Sequence, residues 1–346
     1  MKILITGGAG MVGSHAAEYF AGKGCQVLVY DNLMRSTIFG VDQDSVEFNW
    51  NYLKSFKNIT LVKADIRDRK ALDKAFRKFK PDAVIHTAGQ PGVGFSLHDP
   101  CEDASINAVG TLNVVEALRQ VNPGAVLVYC STNKVYGDNV NDYPIVEKKT
   151  RYAFRSIEGV AESCSIDHCG HTPYGVSKLT GDLYVQDAAQ SFGLRTGVFR
   201  MSCIYGTRQF GFEDQGWIAW FAIRFVQGQP LTIYGDGKQV RDVLWVGDLV
   251  GAFDRFISGA LPAGVFNIGG GAANTMSLLE LLDILKDITG RSVKVGFDDW
   301  RKFDQKVYVS DISKVRRALK WKPTVAPREG VERIVRWIQE NKRMFA

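Results

Sequence analysis

The residues best suited to chemistry stand in the octet HTPYGVSK, residues 171–178. Tyr174 precedes Lys178 by four positions, so on a helix the two share a face. A phenol ordinarily keeps its proton to about pH 10. A neighbouring ammonium and an oxidised nicotinamide ring both favour the phenolate and are expected to pull that value down. Such a phenolate can take the proton of a sugar hydroxyl while hydride leaves the same carbon. A third hydroxyl, Thr132, stands in CSTNKVYG at the end of an apolar run. A tyrosine and lysine at this spacing also read as a plain surface helix pair, so the setting decides.

That setting begins at ITGGAGMVG, where Gly7, Gly10 and Gly13 lie between a strand pattern and a helix pattern. Glycines permit a tight turn and close approach of a diphosphate, which the amides of a helix N-terminus then face. QVLVYDN ends the second strand in Asp31. A carboxylate there accepts hydrogen bonds from an adenosine ribose and repels a 2′-phosphate, so NAD is expected over NADP. Arg35 is the nearest cation and reads as an exposed loop arginine. Asp65, in KADIRD, suits an adenine contact, an N-cap for the helix that follows, or both. Ala88 and Gly89 in HTAGQ are small enough for a cofactor backbone to pass.

The elements that must position these groups follow a rhythm. Apolar runs at 2–6, 26–30, 59–63, 82–86, 125–131 and 195–200 alternate with helical patterns at 11–23, 68–79, 101–121 and 174–192. This alternation predicts a parallel sheet covered by helices on both faces. Thr172 is the expected N-cap of the 174–192 helix, with Pro173 in its first turn. Beyond 200 the rhythm breaks into glycine-rich loops, short strands at 231–234, 241–246, 265–269 and 293–297, and helices. SLLE at 277–280 is a capping box, and the last 18 residues form an amphipathic pattern. The segment 138–171 is long for a connection and reads as a partial lid.

The 346 residues suit one large domain with a smaller lobe. A net charge of +6, from scattered Lys and Arg, gives no nucleic-acid footprint. No apolar run reaches the length of a membrane span. The opening MKILITGG has too short an apolar run for a secretory signal and reads as a first strand. Six cysteines, at 25, 101, 130, 164, 169 and 203, form no C-x-x-C pair, so reduced thiols in a cytoplasmic protein are expected. CSIDHCGH, holding Cys164, His168, Cys169 and His171, fits no common structural zinc spacing, and no metal is expected.

Together these motifs resemble the extended short-chain dehydrogenase/reductase superfamily, in its nucleotide-sugar branch. The finer resemblance is to the CDP-paratose 2-epimerase (CDP-tyvelose epimerase) family. STNKVYGD, TRYAF, HTPYGVSK, YGTRQFGFEDQGWIAWF, GKQVRDVL, FNIGGG and DQKVYVSDISK carry it, and the RQF…DQGW run is the most specific. The resemblance implies a doubly wound parallel α/β sheet of the Rossmann type, residues 1–200, with a smaller mixed α/β substrate lobe, residues 201–346, the boundary being soft and open to more than one crossing of the chain. It implies a catalytic triad of Thr132, Tyr174 and Lys178. The implied NAD-contacting set is Gly7, Gly10, Met11, Val12, Gly13, Asp31, Asn32, Asp65, Ile66, Ala88, Gly89, Gln90, Asn107, Tyr174, Lys178 and Met201.

The 4,6-dehydratases of the superfamily carry an Asp-Glu pair directly after the hydroxyl. Asn133 and Lys134 stand here, so elimination of water lacks its acid and base. The family oxidises C2 of a CDP-linked sugar with NAD and inverts it by returning the hydride. On the substrate side the resemblance places Asn133, Cys203, Gln209, Thr232, Tyr234, Arg241 and Arg301. Arg241 and Arg301 match arginines that grip the diphosphate, as guanidinium forks suit phosphate oxygens. Thr232 and Tyr234 lie on the strand that lines the base. Cys203 departs from the wider superfamily, which commonly has asparagine there. A 4-epimerase, action on GDP- or UDP-sugars, and an NAD-sensing protein without turnover are the alternatives. Pairing through the helices near 101–121 and 174–192, as homodimer or homotetramer, is the superfamily habit.

Overall fold

The computed structural model describes residues 1–40, 43–301 and 304–345. Its strands are β1 (Lys2–Thr6), β2 (Gln26–Asp31), β3 (Ile59–Lys63), β4 (Ala83–His86), β5 (Val126–Thr132), β6 (Ile145–Glu147), β7 (Tyr152–Phe154) and β8 (Arg195–Met201). They continue as β9 (Cys203–Tyr205), β10 (Leu231–Tyr234), β11 (Val240–Trp245), β12 (Ala263–Ile268), β13 (Thr275–Ser277), β14 (Val295–Asp298) and β15 (Val307–Tyr308). Seven of them form one sheet in the order β12-β8-β5-β4-β1-β2-β3. The pairs β1–β2, β1–β4, β2–β3 and β4–β5 are parallel.

The chain divides into two compact units and crosses between them repeatedly. The first contains residues 1–135, 172–200 and 250–266; the second contains 136–171, 201–249 and 267–346. Residues 136–171 thus belong to the second unit and 250–266 to the first, besides the crossing at 200. The expected six-strand series gains β12 as a seventh member.

In the first unit β1, β2, β4, β5 and β8 are buried on both faces, as continuous runs require, while the edge strand β3 is only partly buried. On one face Leu4, Leu28, Val84, Leu127 and Tyr129 meet Val114, Val115, Leu118, Val185 and Ala188 of the flanking helices. The 250–266 excursion docks through aromatic rings. Phe199 of β8 packs edge-on against Phe253 and Phe256 and is tilted against Phe266. Gly197 makes room, since a Cβ there would fall 2.7 Å from the Phe256 ring.

The second unit has its own core. Phe221, Ala222 and Phe225 of the helix Trp217–Gln227 pack with Leu281 and Leu285 of Leu278–Thr289 and with Val331, Ile334 and Ile338 of Pro327–Glu340. The capping box forms as expected, with Ser277 and Glu280 reciprocally bonded to each other's backbone amides. β10 pairs with β14 in parallel, and β11 pairs with β9, β13 and β15. The long 138–171 connection contains the antiparallel pair β6–β7.

Three helical pieces run from Pro100 to Val121. The middle one, Ser105–Val109, is a π-helical turn, a bulge that often marks a functional position. The helix Thr172–Phe192 begins with Thr172 at φ 63°, its hydroxyl accepting from the Gly175 amide at 3.3 Å. That helix is tied to the sheet by charge. Asp182 (side chain 0% exposed) accepts from Arg200 Nε at 3.0 Å and from the Ser131 hydroxyl at 2.6 Å, and Arg200 is 6% exposed. Removing Asp182 takes from the buried guanidinium the carboxylate that holds it through Nε and Nη2. Asp182→Ala should therefore lower the unfolding free energy by about 3–5 kcal/mol, read from the urea midpoint. A loss below about 1 kcal/mol, the range of an exposed pair, would contradict the assignment.

Candidate active site

Thr132, Tyr174 and Lys178 all lie in the first unit. Thr132 ends β5 and is buried, and a hydrogen bond from its side chain draws the Tyr174 pKa down. Burial works the other way and prevails, pushing the phenol up to about 12, with the Asp103 charge adding to the rise. Lys178 Nζ donates at 2.7 Å to the Cys130 carbonyl and sits 4.4 Å over the Tyr129 ring. Burial also pushes Lys178 down to about 8, against the support of Cys130, Asp182 and Asp103. Gly181 lets the helix come this close, since a Cβ there would meet the Tyr129 hydroxyl at 2.5 Å.

The glycine loop follows β1. Gly7 has φ 68°, and a Cβ on it would fall 2.5 Å from the Ala88 amide. Gly10 caps the helix Met11–Gly22 without a side-chain hydrogen bond, so the first-turn amides of Met11, Val12 and Gly13 face outward from the helix end. A Cβ on Gly13 would strike the Gly7 carbonyl at 2.4 Å. Asp31 ends β2 and braces this loop, accepting from the Ala9 amide at 2.9 Å and the Leu33 amide at 2.8 Å. Burial raises its carboxyl, against those hydrogen bonds. Asn32 donates to Asp65 at 2.9 Å. Burial would raise Asp65 too, but Arg67 and Asn32 hold it below the usual range. The N-cap of the following helix is Asp68 rather than Asp65. Arg35 opens a short helix and is partly buried, not an exposed loop residue.

Ile66 is buried against Gly110. Gly89 is pressed between Asn107 and Lys178, with an added Cβ 2.9 Å from Asn107 Oδ1 and 3.7 Å from Lys178 Nζ. Gln90 and Asn107 exchange hydrogen bonds, from the Gln90 amide to Asn107 Oδ1 at 2.8 Å and from Asn107 Nδ2 to the Gln90 carbonyl at 3.0 Å. Asn133 follows Thr132 and is partly buried, and Met201 ends β8.

The remaining substrate-side residues lie in the second unit. Thr232 and Tyr234 share one face of β10 while Leu231 and Ile233 enter the core. The Arg301 guanidinium stacks 4.3 Å over the Tyr234 ring and pairs with Asp214 at 2.9 Å. Arg241 is held by Asp304 at 2.6 Å and by the Gln305 carbonyl at 2.6 Å. Cys203 Sγ accepts from Trp217 Nε1 at 3.4 Å. Gln209 has a buried Oε1 without a partner. Both arginines therefore come with carboxylates that orient them, a feature the arginines alone did not reveal.

Sequence reasoning also missed Asp103, Ser177 and Arg67. An acid four residues before Asn107 was the available signal for Asp103. Among the described residues no group of three or more His, Cys, Asp or Glu could hold a metal ion, and no helix is long and apolar enough to cross a membrane.

The model of the NAD dependent epimerase/dehydratase family matches residues 3–269. The chain belongs to that family. It is 39% identical over 345 residues to the CDP-paratose 2-epimerase of Salmonella typhi, covering 97% of this chain and 99% of that one. Among solved structures, the Thermus thermophilus UDP-glucose 4-epimerase complex with NAD is 30% identical, with a TM-score of 0.79 over 98% of this chain and 99% of that one. The Bacillus cereus UDP-glucuronic acid 4-epimerase, in complex with UDP-glucuronic acid and NAD, is 26% identical, with a TM-score of 0.83 over 99% and 100%.

The enzyme of this family is NAD-dependent, and the first unit fits the cofactor. A glycine cradle that any Cβ would fill, an uncapped helix N-terminus and a carboxylate at the end of β2 would suit a diphosphate and an adenosine ribose. Asp31→Asn removes the charge while keeping the shape. It should weaken NADH binding about tenfold or more, since hydrogen bonds to a charged group contribute about 1.5–3 kcal/mol, and should narrow the NAD over NADP preference. Fluorescence titration with NADH and NADPH reads both. Unchanged NADH affinity would contradict the ribose assignment.

Proposed function

We propose that this enzyme inverts C2 of a CDP-linked sugar of the CDP-paratose/CDP-tyvelose type, through a transient 2-keto sugar. The observation that carries the reading is the near full-length relationship to the CDP-paratose 2-epimerase of Salmonella typhi. Asn133 and Lys134, in place of two carboxylates, support epimerisation over loss of water.

Bound NAD supplies the hydride acceptor and donor. Tyr174 takes the proton of the C2 hydroxyl as the C2 hydrogen departs and gives it back after the ketone has presented its other face. Loss and return of one proton and one hydride leave no net redox change. Thr132 bonds the phenol and shares the sugar oxygen. Lys178, charged below about pH 8 and deprotonating as pH rises through that value, holds the cofactor ribose and favours the phenolate. With the phenol pushed up to about 12 in the protein alone, the phenolate that accepts the C2 hydroxyl proton forms only in the cofactor-bound enzyme, the phenol's own proton passing to solvent. Arg241 and Arg301 are the groups for the diphosphate, and Tyr234 is the aromatic surface for the base.

Incubation with CDP-paratose should give CDP-tyvelose, read as inversion at C2 by proton NMR. Inversion at C4 of a UDP-sugar, with no product from CDP-sugars, would replace this reading with a 4-epimerase. Tyr174→Phe should lower kcat by about 10²–10⁴, the usual contribution of a general acid–base group, and leave NADH binding intact. A smaller loss would remove Tyr174 from the proton step.

A further inference from the structure

We propose that Asp103 is a positioning residue of this active site: its enclosed carboxylate fixes Asn107, Gln90 and Ser177 around the Tyr174–Lys178 turn and supplies a negative charge to that pair. The inference rests on family membership and on the Tyr174–Lys178 assignment, and not on which carbon is inverted.

Asp103 lies on the short helix Pro100–Ala104 and is 0% exposed. A carboxylate rarely reaches that depth without a cation or full hydrogen bonding. Among the described residues no cation lies at ion-pair distance from it, and its partners are neutral amides. Oδ1 accepts from Gln90 Nε2 at 2.7 Å and from Asn107 Nδ2 at 3.0 Å. Oδ2 has no hydrogen-bond partner. The Ser177 hydroxyl stands close enough to stabilise the carboxylate, but its own proton goes to the Tyr174 carbonyl at 3.1 Å. Such a group is costly to keep unless it has work to do.

Its surroundings point to that work. Asn107 Nδ2, held by Asp103, also reaches Ser177 Oγ at 3.1 Å, and Ser177 lies in the turn between Tyr174 and Lys178. Gln90, the second amide held by Asp103, bears the backbone beside Gly89, which itself abuts Lys178. One carboxylate thus links the end of the β4 loop, the π-helical turn and the catalytic helix. The charge acts on both catalytic groups: it favours the ammonium of Lys178 and opposes ionisation of Tyr174.

The other titratable groups packed around Lys178 are accounted for. Cys130 and Tyr129 come from β5 and Asp182 from its own helix; Asp182 is spent on Arg200. His86 of β4 is pushed down to about 3 by burial and by Lys178, so it is neutral. Glu102, beside Asp103, pairs with Arg67; Glu116 and Arg119, on the helix Gly110–Val121, pair with each other; His98 is exposed.

Asp103→Asn and Asp103→Leu, in the NAD-loaded enzyme, test the assignment. Removing the charge releases Lys178 and Tyr174 from it, so both limbs of the kcat–pH profile should move to lower pH in Asp103→Asn. kcat at neutral pH should change on the order of tenfold, the factor matching one pK unit, with KM and the urea midpoint held. Asp103→Leu, which leaves both amides without an acceptor, should also weaken NADH binding in a fluorescence titration. A profile, kcat and NADH affinity unchanged in both variants would overturn the proposal. So would losses that simply track a fall in urea midpoint. A chain that fails to invert C2 but still transfers hydride with another nucleotide sugar leaves this test intact and refutes only the substrate reading.

Discussion

A buried ammonium sets the terms of the first unit. Lys178 is 6% exposed, yet its Nζ has one backbone carbonyl and one aromatic face as close partners. Burial alone would discharge it, and nearby carboxylates keep its pKa from falling further than about 8. The glycine at 181, the buried Tyr129, the π-helical turn and the amide pair of Gln90 and Asn107 are all fitted around that nitrogen. Tyr174 shares the enclosure and pays for it in the opposite direction, holding its proton more tightly than a free phenol. Each group is thereby brought away from its solution behaviour, as the proposed proton transfer requires.

The loop that receives the cofactor depends on a different constraint, backbone proximity. Gly7 and Gly13 leave no space for a side chain, and Asp31 holds Ala9 in place with the same carboxylate that is suited to a ribose. The second unit repeats this economy. Arg301 and Arg241 are oriented by Asp214 and Asp304, which would lower the ordering cost of holding the diphosphate proposed for them.

The sheet was legible because its strands are continuous apolar runs, and β1 and β3 fall on the predicted residues without shift. The glycine loop, Asp31 and the Tyr174–Lys178 spacing were legible because each is local. What was not legible depends on contacts distant in sequence. β12 joins the first unit through rings that pack on Phe199, and nothing near residue 263 announces that. The π-helical turn adds no residue type that differs from an ordinary helix. The depth of Tyr174 was not legible either, because spacing places a lysine nearby but cannot show the burial that raises the phenol in the chain without cofactor. Asp65 was the expected N-cap, and the cap falls instead to Asp68, which accepts from the Ala71 amide.

The central claim is that the same hydrogen leaves and returns at one carbon while Tyr174 carries the proton. Substrate deuterated at C2, turned over in ordinary water, tests it most directly. The expected result is an inverted product that retains its deuterium at C2, with a transient near-ultraviolet absorbance of reduced nicotinamide in a single turnover. Loss of that deuterium to water, with no reduced nicotinamide formed, would contradict it.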